Sequence, residues 1–193
     1  MQLANPWTVL HKEEIFSCPY FSIRSDLVTH LGGLPIAYHS IRTKLFGVTV
    51  IPIDEQGFTT LVGQYRYVLD GFFWELPGGG ARYDRPSVNS AKQELLEETG
   101  YQADQWLQIL DACVAPGTSD DLSRAFVAWG LHAGAPQPEV EEQLVCRRVH
   151  FQDAIAMITR AEIKHLGSIA ALFSLHAKLV RSELPADLAS RLT

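Results

Sequence analysis

Glu94, Glu97 and Glu98, in the stretch QELLEETG, are the residues of this 193-residue chain best placed to do chemistry. On a helix they fall at i, i+3 and i+4 and share one face about one turn long. Val88, Ala91 and Leu95 occupy the adjoining face, so the acids border an apolar stripe that packs inward. An exposed acidic face ordinarily carries Lys or Arg three or four residues away, and none of these glutamates has one. Gly100 is placed to end the helix in the left-handed conformation, which puts the acids in its last turns, where the dipole also disfavours negative charge. Two electrostatic penalties in one patch point to a bound cation. Carboxylate oxygens with no Cys or His beside them suit a hard divalent ion, Mg²⁺ or Mn²⁺. The competing reading is a solvated acidic face.

The acids need elements to hold them. Residues 77–80, Pro-Gly-Gly-Gly, read as a flexible loop leading into the helix; they match neither a Walker loop nor a dinucleotide fingerprint, and they let backbone carbonyls approach an ion. Upstream, residues 45–53 alternate as a strand, Gln56-Gly57 makes a turn, and 58–65 continue as the partner strand of a main sheet. A turn near Asp70-Gly71 precedes a short strand at 73–76. Beyond Tyr101 a linking segment is expected, then strands at 107–114, 125–131 and 144–151, with a loop at 116–121 and another at 136–143 that carries Glu139, Glu141 and Glu142. Apolar residues at helical spacing mark helices at 151–160 and 168–181, which would cover the sheet. Residues 5–42 read as an extension of strands, with 20–28 and 35–41 flanking Gly32-Gly33 as a hairpin.

Composition narrows the function. A chain of this length is one domain with a small extension, and it needs no covalent staples. The net charge of −6 and the lack of basic runs argue against a nucleic-acid groove or an anionic membrane surface. A small phosphate-bearing ligand stays open if a metal supplies positive charge. Cys18, Cys113 and Cys146 are odd in number and far apart, which fits a reducing cytoplasm better than a disulfide framework. No signal-peptide pattern or long apolar run is present in the sequence given.

The stretch from Gly79 through Arg85 and Gln93 to Glu94, Leu95, Glu97, Glu98 and Gly100 resembles the signature of the Nudix hydrolases in every spacing. Two positions depart from it: Arg85 stands where that family has Glu, and Gln93 where it has Arg. The resemblance implies an α/β/α sandwich on a mixed sheet, with residues 43–193 as the Nudix domain and 1–42 as an N-terminal β extension. It implies metal held by Glu94, Glu97, Glu98 and the Gly78 carbonyl, and a catalytic carboxylate drawn from Glu97, Glu141 and Glu142.

Gln64-Tyr65-Arg66 and Pro116, sixteen residues beyond Gly100, resemble the branch that hydrolyses ADP-ribose and nucleotide sugars. That likeness assigns Arg66 and Pro116 to substrate binding, and the extension to a homodimer interface. A guanidinium suits a diphosphate because it donates two parallel hydrogen bonds; the alternatives are a salt bridge at a strand end for Arg66 and ordinary turn chemistry for Pro116. The implied reaction cleaves a nucleoside diphosphate joined to a sugar, giving a nucleoside monophosphate and a sugar phosphate. The two departures leave open a Nudix domain that only binds a nucleotide sugar, as a sensor, and a triphosphate substrate is the other alternative.

Overall fold

The structure, a computed structural model, describes residues 4–134 and 143–193. The contacts within the chain group into two units: residues 1–46 with 113–122, and residues 47–112 with 123–193.

The smaller unit is a four-stranded antiparallel sheet. Strand β3 (Phe21–His30) pairs with β1 (Trp7–His11), β2 (Glu14–Ser17) and β4 (Ile36–Thr43). The expected hairpin is β3–β4, turned at Leu31 and Gly32, whose φ angles are 50° and 72°. Glycine accepts that left-handed backbone without strain, whereas Leu31 adopts it beside a β-turn bond from Gly33 N–H to the His30 carbonyl at 3.0 Å. β1 and β2 lie in the stretch read as strands, but without bounds of their own; both are short, fully exposed and broken by register shifts against β3, so they lack the buried alternation that marks a strand in sequence.

The larger unit carries a sheet in the order β8-β5-β10-β9 and a second in the order β11-β6-β7. The strands are β5 (Leu45–Ile53), β6 (Phe58–Arg66), β7 (Gly71–Glu75), β8 (Gly78–Arg82), β9 (Tyr101–Cys113), β10 (Leu122–Ala133) and β11 (Val145–His150). β10 runs parallel to β5 and β11 antiparallel to β6, so parallel and antiparallel pairings coexist, as expected of a mixed α/β fold. Helices α1 (Ser87–Thr99), α2 (Phe151–Thr159), α3 (Leu166–Val180) and α4 (Ala186–Leu192) complete it. The core joins Ile51, Leu61, Val127 and Val149 from the strands to Phe151, Met157, Leu172, Leu175 and Leu188 from α2, α3 and α4. Among the described residues no helix is long and apolar enough to cross a membrane.

Three expectations need correction. β6 is not the partner of β5; the turn between them sends the two strands into different sheets. Asp54 fixes that turn by accepting the Gln56 and Phe58 N–H groups at 2.9 and 3.0 Å, and Gly57 there has φ of 77°. Seven of the nine residues of β5 are buried, as are residues 59–63 of β6, so each strand buries side chains on both faces, which alternation alone does not reveal. Residues 78–82 are strand β8 rather than a flexible loop, because Gly78 permits close approach to β5: a Cβ there would stand 2.2 Å from the Val48 carbonyl oxygen. No linker follows Tyr101. Gly100 reverses the chain at φ 74°, and β9 begins at the next residue. Helix α4 was also missed, being seven residues long.

Candidate active site

Helix α1 ends as its sequence requires, with Gly100 left-handed and its N–H bonded to the Leu96 carbonyl at 2.9 Å. Its last turn holds no basic residue. Ala91 and Leu95 are fully buried, and the glutamates flank them. Glu98 is itself 5 % exposed, and its Oε2 accepts the Gly78 N–H at 2.8 Å. Glu94 lies against the next residue of β8: a Cβ on Gly79 would sit 2.5 Å from Glu94 Oε1. Strand β8 therefore meets two carboxylates of one helix face through two consecutive glycines. Glu97 is handled differently, its Oε1 accepting Gln93 Nε2 at 2.9 Å one turn back along the helix. Gln93 thus bonds one of the acids as a neutral donor, at the position where the Nudix signature has a cation.

The donor set at Gly78–Gly79 is all oxygen, which fits a hard divalent cation, and the missing side chain at Gly79 makes the room that Glu94 occupies. Among the described residues no three Asp, Glu, His or Cys side chains converge as a ready-made metal cage. Cys146 on β11 reaches the same place, its Sγ lying 3.4 Å from the Glu98 carbonyl oxygen. Burial, and then the Glu98 charge, push the Cys146 thiol above its ordinary value, which keeps it protonated beside the acids. Arg85 is exposed, next to an Asp84 that is already bound by Arg82 at 2.7 Å.

Arg66 closes β6 and grips Glu75 at the end of β7, Nε to Oε1 at 2.9 Å and Nη2 to Oε2 at 2.5 Å. The strand-end salt bridge weighed for Arg66 is thus present, and Glu75 is 5 % exposed. Sequence reading missed Glu75, His165 and Ser168, which form one network with Arg66. The available signal was a lone acid in the apolar run Phe-Phe-Trp-Glu-Leu, since a carboxylate buried there requires a partner. Pro116 is exposed, on a loop of the smaller unit that is stitched to β4. Tyr38 donates its hydroxyl to the Gly117 carbonyl at 2.7 Å, and Asp120 accepts the Thr43 N–H at 2.9 Å. Glu139, Glu141 and Glu142 lie outside the described residues.

The NUDIX domain family model matches residues 43–172 of this sequence. The chain belongs to the Nudix family. As a Nudix protein it is 30% identical over 172 residues to the ADP-ribose pyrophosphatase of Mycobacterium tuberculosis, covering 87% of this chain and 82% of that relative. It is 27% identical over 173 residues to the GDP-mannose pyrophosphatase of Yersinia pestis, with 84% and 81% covered. Its fold superposes on the crystal structure of an ADP compounds hydrolase with a TM-score of 0.83, over 94% of this chain and 98% of that one, at 18% identity.

Proposed function

We propose that this Nudix protein hydrolyses the diphosphate of a nucleoside diphosphate joined to another group, with ADP-ribose or a nucleotide sugar as substrate. The carrying observation is the meeting of Glu94 and Glu98 with Gly78 and Gly79 of β8, inside a chain similar to proteins named ADP-ribose pyrophosphatase and GDP-mannose pyrophosphatase. Glu94, Glu98 and the Gly78 carbonyl, with Glu97 as a further ligand, would hold Mg²⁺, with Mn²⁺ as substitute. Bound there, the ion offsets diphosphate charge and makes water a better nucleophile. The chain's own part is positional and acid–base. The Gly78 N–H fixes the Glu98 carboxylate, and the glycine backbone sets how close Glu94 may come. Glu97, Glu141 and Glu142 are the candidates to take the proton of the attacking water as it adds to phosphorus. The bridging P–O bond then breaks, leaving a nucleoside monophosphate and a sugar phosphate.

Arg66, fixed at the end of β6 by Glu75, is assigned to the diphosphate, and Pro116 to the substrate side of its loop. The smaller unit is assigned as a homodimer interface, since Tyr20, Leu31 and Leu34 are 70%, 77% and 88% exposed on it. The three cysteines are free, which supports a reducing cytoplasmic location.

The second reading, a Nudix domain that binds a nucleotide sugar without cleaving it, is favoured by the neutral Gln93 on Glu97. A Mg²⁺-dependent turnover screen over ADP-ribose, several nucleotide sugars and triphosphates, with products identified by mass, separates the readings. The enzyme reading expects monophosphate products from the first two groups. Tight binding without turnover supports the sensor, and preference for a triphosphate overturns the substrate assignment.

A further inference from the structure

The N-terminal end of α3 carries two side chains, His165 and Ser168, that the reaction described above leaves unused. His165 Nδ1 lies 3.0 Å from Ser168 Oγ and 3.5 Å from Glu75 Oε2, the same oxygen that accepts Arg66 Nη2 at 2.5 Å. Ser168 is fully buried and its Oγ accepts the Leu76 N–H at 2.9 Å. Gly167 makes room for the imidazole: a Cβ there would stand 3.0 Å from His165 Cε1 and 3.3 Å from Nε2. The ring is therefore folded back over a glycine and aimed at a buried carboxylate that holds an arginine.

Ser168 Oγ spends one of its two acceptor sites on the Leu76 N–H, so its contact with Nδ1 is made either by the hydroxyl donating to a bare Nδ1, with the ring proton on Nε2, or by the second lone pair accepting from Nδ1–H. In the imidazolium both nitrogens carry protons, so Nδ1–H faces Glu75 Oε2, drawing it from Arg66, and the ring adds a positive charge beside the guanidinium. The charged groups facing His165 are Arg66 from β6 and Glu75 from β7; Ser168 comes from its own helix, Thr49 of β5 approaches the same glycine, and Lys164 is turned over the Phe73 ring at 5.8 Å. Burial holds the imidazole below its ordinary value of 6.5; Glu75 opposes this and the Arg66 charge adds to it.

We propose that His165 is a positioning residue for Arg66: neutral, it leaves Glu75 committed to the guanidinium, and protonated it competes for that carboxylate. The inference rests on the assignment of Arg66 to the substrate diphosphate. Its consequence is confined to substrate affinity, since His165 acts through Glu75 on a binding group rather than on the acids of α1.

The test uses the full chain, with ADP-ribose and Mg²⁺ for kinetics and ¹⁵N-imidazole NMR as a readout independent of turnover. His165→Ala is expected to raise KM about five- to tenfold with kcat within about twofold, the size of losing the ordering of one charge-assisted pair. His165→Asn, which still offers Ser168 an acceptor, restores KM but removes the rise in KM that wild type shows on the acid side of neutrality. Gly167→Ala, favourable for a helix in itself, reproduces the His165→Ala effect by displacing the ring. By NMR, Arg66→Ala moves the His165 titration upward. An unchanged KM in both His165→Ala and Gly167→Ala, an acid limb that survives in His165→Asn, or a His165 titration indifferent to Arg66→Ala overturns the proposal. If wild type cleaves no diphosphate, the functional reading fails on its own, and the NMR arm still decides whether His165 is coupled to Arg66.

Discussion

Adding one methyl group at either of two adjacent glycines should separate what holds β8 in place from what builds the metal site. In Gly78→Ala the new Cβ would meet backbone, 2.2 Å from the Val48 carbonyl oxygen and 3.0 Å from Thr49 Cα. Neither atom can swing away, so β8 must draw back from β5. Overpacking of this kind destabilises by about 1–3 kcal/mol, and at about 2–4 °C per kcal/mol for a chain of this size Tm should fall by about 2–12 °C. In Gly79→Ala the nearest atoms to the new Cβ are those of the Glu94 carboxylate, 2.5 Å to Oε1 and 2.7 Å to Oε2, at the free end of a flexible side chain. Restoring ordinary contact at 3.4 Å moves that oxygen by about 0.9 Å. The fold tolerates this, so Tm should stay within about 2 °C of wild type. A metal site does not, because ligand distances hold to about 0.2 Å. Loss of an outer partner alone weakens metal binding about 10–100-fold, and displacing a ligand should raise the Mg²⁺ concentration for half-maximal turnover at least as much. The assays are thermal unfolding without metal and a Mg²⁺ titration of ADP-ribose turnover. A Gly79→Ala protein with an unaltered Mg²⁺ requirement would remove Glu94 from the metal site. A Gly78→Ala protein with wild-type Tm would contradict the close approach of β8 to β5.

Gln93→Arg should place a cation beside Glu97 in place of the neutral donor and lower the Mg²⁺ needed for half-maximal rate; adding Arg85→Glu should lower it further. A wild type inactive on every diphosphate, made active by the double change, would establish the sensor reading instead. Static light scattering should give the mass of two chains at micromolar concentration, and a fully active monomer would remove the dimer. Burial pushes the Asp54 carboxyl up, but bonds from Phe58 N–H, Arg148 and Gln56 N–H outweigh it and hold the group below its usual 3.8. Folding therefore gains from ionised Asp54 above that value and loses the gain as pH falls through the lower folded value. Asp54→Ala should then destabilise by about 1–2 kcal/mol at neutral pH, allowing for partial exposure, with the gap to wild type closing in acid; a gap that stays constant down to the acid limb would refute the linkage.

The acid face of α1 was legible because helical spacing, absent counter-charges and a terminal glycine are local properties of the chain. The route of the strands was not. β5 and β6 are joined by a tight turn and both are apolar, and nothing local says that they enter different sheets. The glycines at 78 and 79 read as a flexible loop that lets backbone carbonyls approach an ion; the strand they form, and the close approach of one to β5 and of the other to Glu94, depend on contacts distant in sequence. Glu75 and His165 escaped notice for a related reason: they lie ninety residues apart in sequence, and only the fold brings His165 Nδ1 to 3.5 Å from Glu75 Oε2. Arg66 was singled out by its local segment, but its partner at the end of the next strand, which fixes its direction, was not foreseen.

The central claim is that Glu98, buried at the end of α1 and fixed by the Gly78 N–H, serves metal-dependent cleavage of a diphosphate. The most direct measurement compares wild type and Glu98→Gln for Mg²⁺-dependent hydrolysis of ADP-ribose, with products resolved by mass and folding checked by circular dichroism. The amide keeps the shape and an acceptor for Gly78 but loses the charge, so a folded protein with turnover reduced about a hundred- to a thousandfold, the scale of removing one strong electrostatic group from an active site, is predicted. Wild-type AMP and ribose phosphate production by Glu98→Gln at saturating Mg²⁺ would contradict the account.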